Sequence, residues 1–172
     1  MNSWYAIKVK FTKEFTDGTL KRLTEPYLVS SMSFTEAEAR IYKEVGEYVR
    51  GEFLVTSIAK TDFADIFEYD DSDKYYKAKV TYVSEDADSG KEKKVNNNYL
   101  VSAKDLKEAY ERIEESLRGL MVTYEIPSIS LTQIVEIFPY DPEAIADYES
   151  EEKKEEEIES PNINVAYSAE EE

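Results

Sequence analysis

Residues 57–70, SIAKTDFADIFEYD, return as residues 128–141, SISLTQIVEIFPYD, with Ser, Ile, Thr, Ile, Phe, Tyr and Asp in the same places. Working outward, Tyr27-Leu28-Val29-Ser30 matches Tyr99-Leu100-Val101-Ser102, and Arg40-Ile41 matches Arg112-Ile113. Trp4-Tyr5 falls on Tyr75-Tyr76, Lys8-Val9 on Lys79-Val80, and Lys21-Arg22-Leu23 on Lys93-Lys94-Val95. The offset is 71 or 72 residues, changing by one in the first hairpin and back after the helix. Solenoid repeats run about 20–50 residues, so this period is too long for one. The reading is a tandem duplication: residues 1–72 and 73–142, packed together as one globular unit with pseudo-twofold symmetry, followed by a tail over residues 143–172.

Each copy reads β-β-α-β, with room for a further strand. Tyr5, Ile7, Val9 and Phe11 alternate along residues 5–12, and Tyr76, Ala78, Val80 and Tyr82 repeat that face. Period-2 alternation marks a half-buried strand. Asp17-Gly18 and Ser89-Gly90 are turn dipeptides at equivalent places, so each copy opens with a hairpin. Ser33 with Glu36, and Asp105 with Glu108, are capping boxes that open two helices. Phe34, Ala37, Ile41, Val45 and Tyr48 form one apolar stripe, and Leu106, Ala109, Ile113 and Leu117 the other. Gly51 and Gly119 are the expected helix stops. Strand-like segments over 53–58, 63–67, 122–129 and 134–138 complete the copies. The expected fold is α+β: antiparallel strands, in two sheets or one merged sheet, covered by two helices.

The chain has 172 residues, no cysteine and no histidine. Disulfides, thiol chemistry, Cys/His zinc sites and an imidazole base are all excluded. No apolar run follows Met1 and no stretch approaches the roughly 20 apolar residues of a membrane span, so a soluble cytoplasmic protein without a signal peptide is expected. Of the net charge of −17, residues 141–172 carry −11, which leaves −6 for residues 1–140. Residues 149–159 are nearly all Glu and Lys and cannot bury enough apolar surface to offset ordering entropy, so a disordered acidic tail is expected. Ile163, Val165 and Tyr167 form an apolar island there, either a docking motif for a protein partner or ordinary tail residues.

One surface carries chemistry in this pattern. Trp4, Lys8 and Lys10 share the face opposite Tyr5, and Tyr75, Lys77 and Lys79 share the matching face. The neighbouring strands add Lys21 with Arg22, and Lys93 with Lys94. Rings that stack on bases beside lysines that track phosphates are the means by which sheets hold single-stranded DNA or RNA. The competing account packs Trp4 and Tyr75 against the other repeat and leaves the lysines as a solvated face. The acidic clusters Asp70-Asp71-Ser72-Asp73 and Glu85-Asp86-Ala87-Asp88-Ser89-Gly90 read as a linker and a hairpin turn, not cation sites. Asp65 and Glu136 are equivalent carboxylates without a nucleophile or base beside them. No phosphate-cradling glycine loop or serine nucleophile motif is present, so neither an enzyme, a metal nor a cofactor is expected.

Residues 4–141 resemble an uncharacterised family, the domain of unknown function 4494. The resemblance rests on Trp4-Tyr5, Asp17-Gly18-Thr19-Leu20-Lys21, Glu25-Pro26-Tyr27-Leu28-Val29, the stretch from Phe34 to Arg40, and Phe63-Ala64-Asp65-Ile66-Phe67. The second copy adds Val80-Thr81-Tyr82-Val83 and the stretch from Asp88 to Asn96. It implies a setting in gut anaerobes and their tailed phages, and no activity. Two functions are expected from the residues. The first is a non-enzymatic single-stranded nucleic-acid-binding accessory protein of phage or mobile-element replication, whose acidic tail competes with nucleic acid. The alternative is a protein-interaction module: an adaptor, an inhibitor of host defence or an acidic mimic of DNA.

Overall fold

The computed structural model describes residues 1–143 and 146. Residues 1–140 form one compact unit; the chain from Asp141 belongs to a second, and the acidic run with Ile163, Val165 and Tyr167 lies outside the described residues. The first unit holds eight strands and two helices. They are β1 (Ser3–Glu14), β2 (Leu20–Ser31), α1 (Phe34–Gly46), β3 (Phe53–Lys60), β4 (Phe63–Phe67), β5 (Tyr75–Glu85), β6 (Glu92–Ser102), α2 (Leu106–Leu117), β7 (Tyr124–Leu131) and β8 (Glu136–Phe138). The order β-β-α-β-β therefore occurs twice.

Two four-stranded sheets result, ordered β3-β1-β2-β8 and β4-β6-β5-β7. Each takes three strands from one half and its fourth from the other. β8 lies beside β2, with Leu28 opposite Ile137, and β4 lies beside β6, with Ile66 opposite Leu100. Both exchanged pairs are parallel, which corrects the all-antiparallel expectation; the remaining pairs are antiparallel. The physical reason lies in the connection: β4 must leave its own edge strand β3 and cross to the other sheet.

Three apolar clusters explain why the sequence runs as it does. Tyr5, Ile7, Val9, Tyr27 and Val29 meet Ala37, Ile41 and Val45 of α1, with Phe138 from β8. Tyr76, Ala78, Val80, Tyr99 and Val101 meet Ala109, Ile113 and Leu117 of α2. Leu28, Tyr75, Leu100 and Ile137 form a third cluster between the sheets, with Trp4, Ala6, Phe63, Ile66 and Ile134 against it. Tyr27-Leu28-Val29 and Tyr99-Leu100-Val101 are unbroken apolar runs because both their faces are covered there.

Local chemistry sets the boundaries. Ser33 Oγ accepts from Glu36 N at 3.1 Å and Asp105 Oδ1 from Glu108 N at 2.8 Å. Each glutamate reaches back one residue beyond the cap, Glu36 to Met32 N at 3.0 Å and Glu108 to Lys104 N at 2.7 Å. The cap half of each expected capping box thus forms, while the glutamate half closes on the N–H before the cap instead of the cap's own. α1 stops at Gly46, ahead of the expected Gly51, and the stripe ends Phe34 and Tyr48 are exposed. Gly18 (φ 80°) and Gly90 (φ 63°) supply the left-handed turn positions of the two long hairpins. Thr61 and Thr132 fasten the start of β1 and β5 alike: Thr61 Oγ1 donates to Trp4 O at 3.0 Å, and Thr132 Oγ1 to Tyr75 O at 2.8 Å.

Candidate nucleic-acid interface

Alternation along β1 turns Trp4, Ala6, Lys8, Lys10 and Thr12 away from α1. Across from them on β2 stand Ser30, Leu28, Pro26, Thr24 and Arg22. The inter-sheet cluster claims the Trp4 end of this face. Beyond it Lys8, Thr12, Arg22 and Thr24 are exposed and Lys10 is half-buried. The other sheet repeats the arrangement. Tyr75, Lys77, Lys79, Thr81 and Val83 face away from α2, opposite Ser102, Leu100, Asn98, Asn96 and Lys94. Each hairpin therefore carries an open sheet face beyond the shared core, with Lys8, Lys10 and Arg22 on the first and Lys79 and Lys94 on the second, while Lys77, half-buried opposite Leu100, borders the core. Among the described residues, no salt bridge involves any of the six.

Two elements of the expected surface are corrected. Tyr75 is only 6% exposed and lies in the inter-sheet cluster, so it has no ring face to offer a base. Burial, with Glu68 next, pushes its hydroxyl up to about 12. Trp4 is half-buried against the same cluster. Lys21 and Lys93 do not join the cationic faces. Lys21 lies opposite Lys13 and Lys93 opposite Ser84, on the helix side of their sheets. Neighbours in a strand point to opposite faces, so Lys21-Arg22 and Lys93-Lys94 are each divided. Lys21 Nζ sits 5.2 Å from the Phe15 ring centre instead.

The faces hold more than lysine. A groove of about 660 Å³ runs past Lys10, Thr12, Arg22 and Leu54, with Glu52 on its rim. In the second sheet Lys77 Nζ lies 5.8 Å from the Phe63 ring centre. Asn98 Nδ2 donates to Asp62 Oδ2 at 2.7 Å, and Thr81 Oγ1 to Asn96 Oδ1 at 2.7 Å. Asn96 is exposed and Asn98 half-buried, and neither carried a motif; Phe63 is half-buried against the inter-sheet cluster. Carboxylates also share these faces: Glu14 and Glu52 in one, Glu85, Glu92 and Glu125 in the other, at hairpin tips and sheet edges.

The acidic clusters have structural employment. Asp86 accepts from Asp88 N at 2.9 Å and Ser89 N at 3.3 Å, which closes the β5–β6 hairpin and holds its carboxyl below the usual range. Asp71 pairs with Arg112 at 2.7 Å and is lowered chiefly by that hydrogen bond. The carboxylates acting on Glu136 are Glu44 and Glu68, not Asp65; burial is the larger cause of its raised pKa. Among the described residues no group of three acidic side chains is placed to hold a metal ion, and no helix is long and apolar enough to cross a membrane.

A family model described as Domain of unknown function (DUF4494) matches residues 3–140, and the chain belongs to that family. No curated protein and no solved structure matches.

Proposed function

For this member of the family we propose a non-enzymatic accessory role in the cytoplasm: binding single-stranded nucleic acid across the two open sheet faces. One observation carries the reading. Six cations, without a salt bridge among the described residues, lie on two polar faces, Lys8 and Arg22 at positions equivalent to Lys79 and Lys94, while α1 and α2 turn Glu38, Glu111, Glu114 and Glu115 outward on the other side. With Tyr75 withdrawn, binding rests on Lys and Arg holding phosphates and on Asn and Thr meeting bases, more than on stacking against two rings. The halves are read as copies of one ancestral unit, so the protein has two such faces. The charge of −11 in residues 141–172 opposes the approach of any polyanion.

The test is fluorescence anisotropy of a labelled oligo-dT and an oligo-rU, with and without residues 143–172. Affinity falls as salt rises, and truncation tightens it. A truncated chain that binds neither oligonucleotide at low salt ends this reading.

A second reading, a protein-interaction module, is favoured by a groove of about 770 Å³ between α2 and edge strand β7. Leu106, Tyr110, Ile126, Pro127 and Ile129 line it, beside Glu111 and Glu114. A stoichiometric protein partner captured from lysate, together with failed oligonucleotide binding, selects this reading over the first.

A further inference from the structure

Each half of the chain lacks a strand that only the other half supplies. β2 is completed by β8 and β6 by β4. The exchanged strands place Ile137 and Ile66 between the sheets, and Phe138 and Phe67 against the two helix cores. Neither half has a finished sheet or a finished core without the other.

The halves are joined between β4 and β5 by residues 68–74 alone. This connector rounds the end of β6 and is tied there by a few groups. Tyr69 N donates to Ser102 Oγ at 2.6 Å and Ala103 N to Lys74 O at 3.0 Å. Asp71 meets Arg112 at 2.7 Å and, at the surface where ion pairs contribute little, Lys104 at 3.6 Å, and Tyr69 packs against the second helix core. The pairings that complete the sheets depend on which strands meet, not on which chain they come from.

We propose that this protein takes a second copy of itself as partner, in a reciprocal dimer. Residues 1–67 of each copy pair with residues 75–140 of the other through the same strand registers, and the connector runs between the two bodies. Within one chain the short connector holds the halves at an effective concentration in the millimolar range. The closed monomer therefore dominates at micromolar concentration, and exchange competes when copies fold together near that range.

The experiment uses the full chain, unfolded in guanidinium chloride and refolded at about 1 mM, matching that effective concentration, then diluted to micromolar and weighed by light scattering after gel filtration. The expected result is a dimer that survives dilution, because separation requires withdrawing β4 and β8. Two differently tagged preparations form mixed dimers when refolded together and not when mixed already folded. Monomer alone, or a dimer that falls apart on dilution, overturns the proposal. A second variant lacks residues 70–73. Its three remaining connector residues reach about 14 Å, against two strand spacings of roughly 10 Å plus a detour round β6. Closure is tighter in it, so at a given refolding concentration its dimer fraction is expected to exceed the wild type's; an equal or smaller fraction overturns the proposal. If it does not fold, the wild-type refolding decides.

Discussion

Arg40 Nη2 donates to the carbonyl oxygen of Pro139 at 2.9 Å, across 99 positions of sequence. The same guanidinium donates from Nη1 to Ser30 O at 2.6 Å and meets Glu44 at 3.4 Å. One side chain thus links α1, the end of its own β2 and the exit of the exchanged strand β8. Arg112 stands at the equivalent place, with Nη1 on Ser102 O at 2.8 Å, but its Nη2 turns to Asp71 and Glu108. Its guanidinium also lies 4.0 Å from the Tyr69 ring centre.

The two arginines should differ in weight. Arg40 is 2% exposed, and its removal leaves two carbonyl oxygens and a carboxylate without their donor. Buried groups left unsatisfied cost about 1–3 kcal/mol each, so Arg40→Met is expected to lower stability by roughly 2–4 kcal/mol. Arg112→Met strands one carbonyl and exposed carboxylates that water can serve, and is expected to lose less. Arg40→Lys does not restore the fork that spans two carbonyls. Urea denaturation of the three variants checks this ranking; equal losses from Arg40→Met and Arg112→Met refute it.

These arginines show where sequence stops being legible. Arg40 sits beside Ile41 within a matched pair of dipeptides, yet helical spacing assigns it to no apolar stripe. Its burial depends on carbonyls that a strand from the other half brings in. The exchange itself is invisible for the same reason. Phe63-Ala64-Asp65-Ile66-Phe67 reads as a strand from its own residues, but nothing local says which edge it joins. The clue lay in Tyr27-Leu28-Val29, whose unbroken apolarity asks for cover on both faces. The helix-facing alternation and both helix caps were legible, because their partners lie within a few residues. At the candidate site, period 2 alone divides Lys21 from Arg22. Tyr75 could not be placed that way, since near it both faces of the sheet are covered.

Strand exchange makes the two helix cores one cooperative unit. Ile41 and Ile113 are each fully buried beneath their helices. Ile41→Ala and Ile113→Ala are each expected to lose about 2–5 kcal/mol, with a single transition in both variants. Denaturation followed by circular dichroism and by Trp4 fluorescence must give coincident curves. Two separable transitions, each moved by one substitution, would mean that the halves unfold independently.

Tyr75 bears on the alkaline behaviour together with Tyr27, which burial and its hydrogen bond to Glu25 also raise, and Glu136 bears on the neutral range. The Tyr75 hydroxyl is pushed up to about 12, so between its ordinary value of 10.0 and there the folded state binds more protons than the unfolded one. Stability from this group is full below pH 10 and is lost as pH rises toward 12. Glu136 is raised as well, so its folded carboxyl resists ionisation and stability falls as pH climbs past the ordinary carboxylate range. Glu136→Gln is expected to raise the urea midpoint at pH 7 and to leave it nearly unchanged in acid below that range, whereas Tyr75→Phe removes part of the alkaline loss and leaves the part due to Tyr27. A Glu136→Gln variant no more stable than the parent at neutral pH refutes the first of these.

The sharpest test of the cationic faces uses their own geometry as control. Lys8→Glu with Lys10→Glu reverses charge on the open face of the first sheet, and Lys79→Glu with Lys94→Glu does so on the second. Lys21→Glu and Lys93→Glu reverse charge on the helix side, one strand position from Arg22 and from Lys94. All four positions altered on the open faces are exposed or half-buried, so folding should be little disturbed. If phosphates are held on the open faces, each open-face pair weakens oligonucleotide binding, and the slope of log affinity against log salt shrinks by about one for each phosphate no longer neutralised. Each pair alone leaves the other face intact, so only half of the sites are weakened while the stoichiometry at saturation is kept. The helix-side variants keep both the slope and the stoichiometry of the parent. If all variants weaken binding alike, the effect is one of net charge, and the division of Lys21 from Arg22 by the strand has no bearing on it.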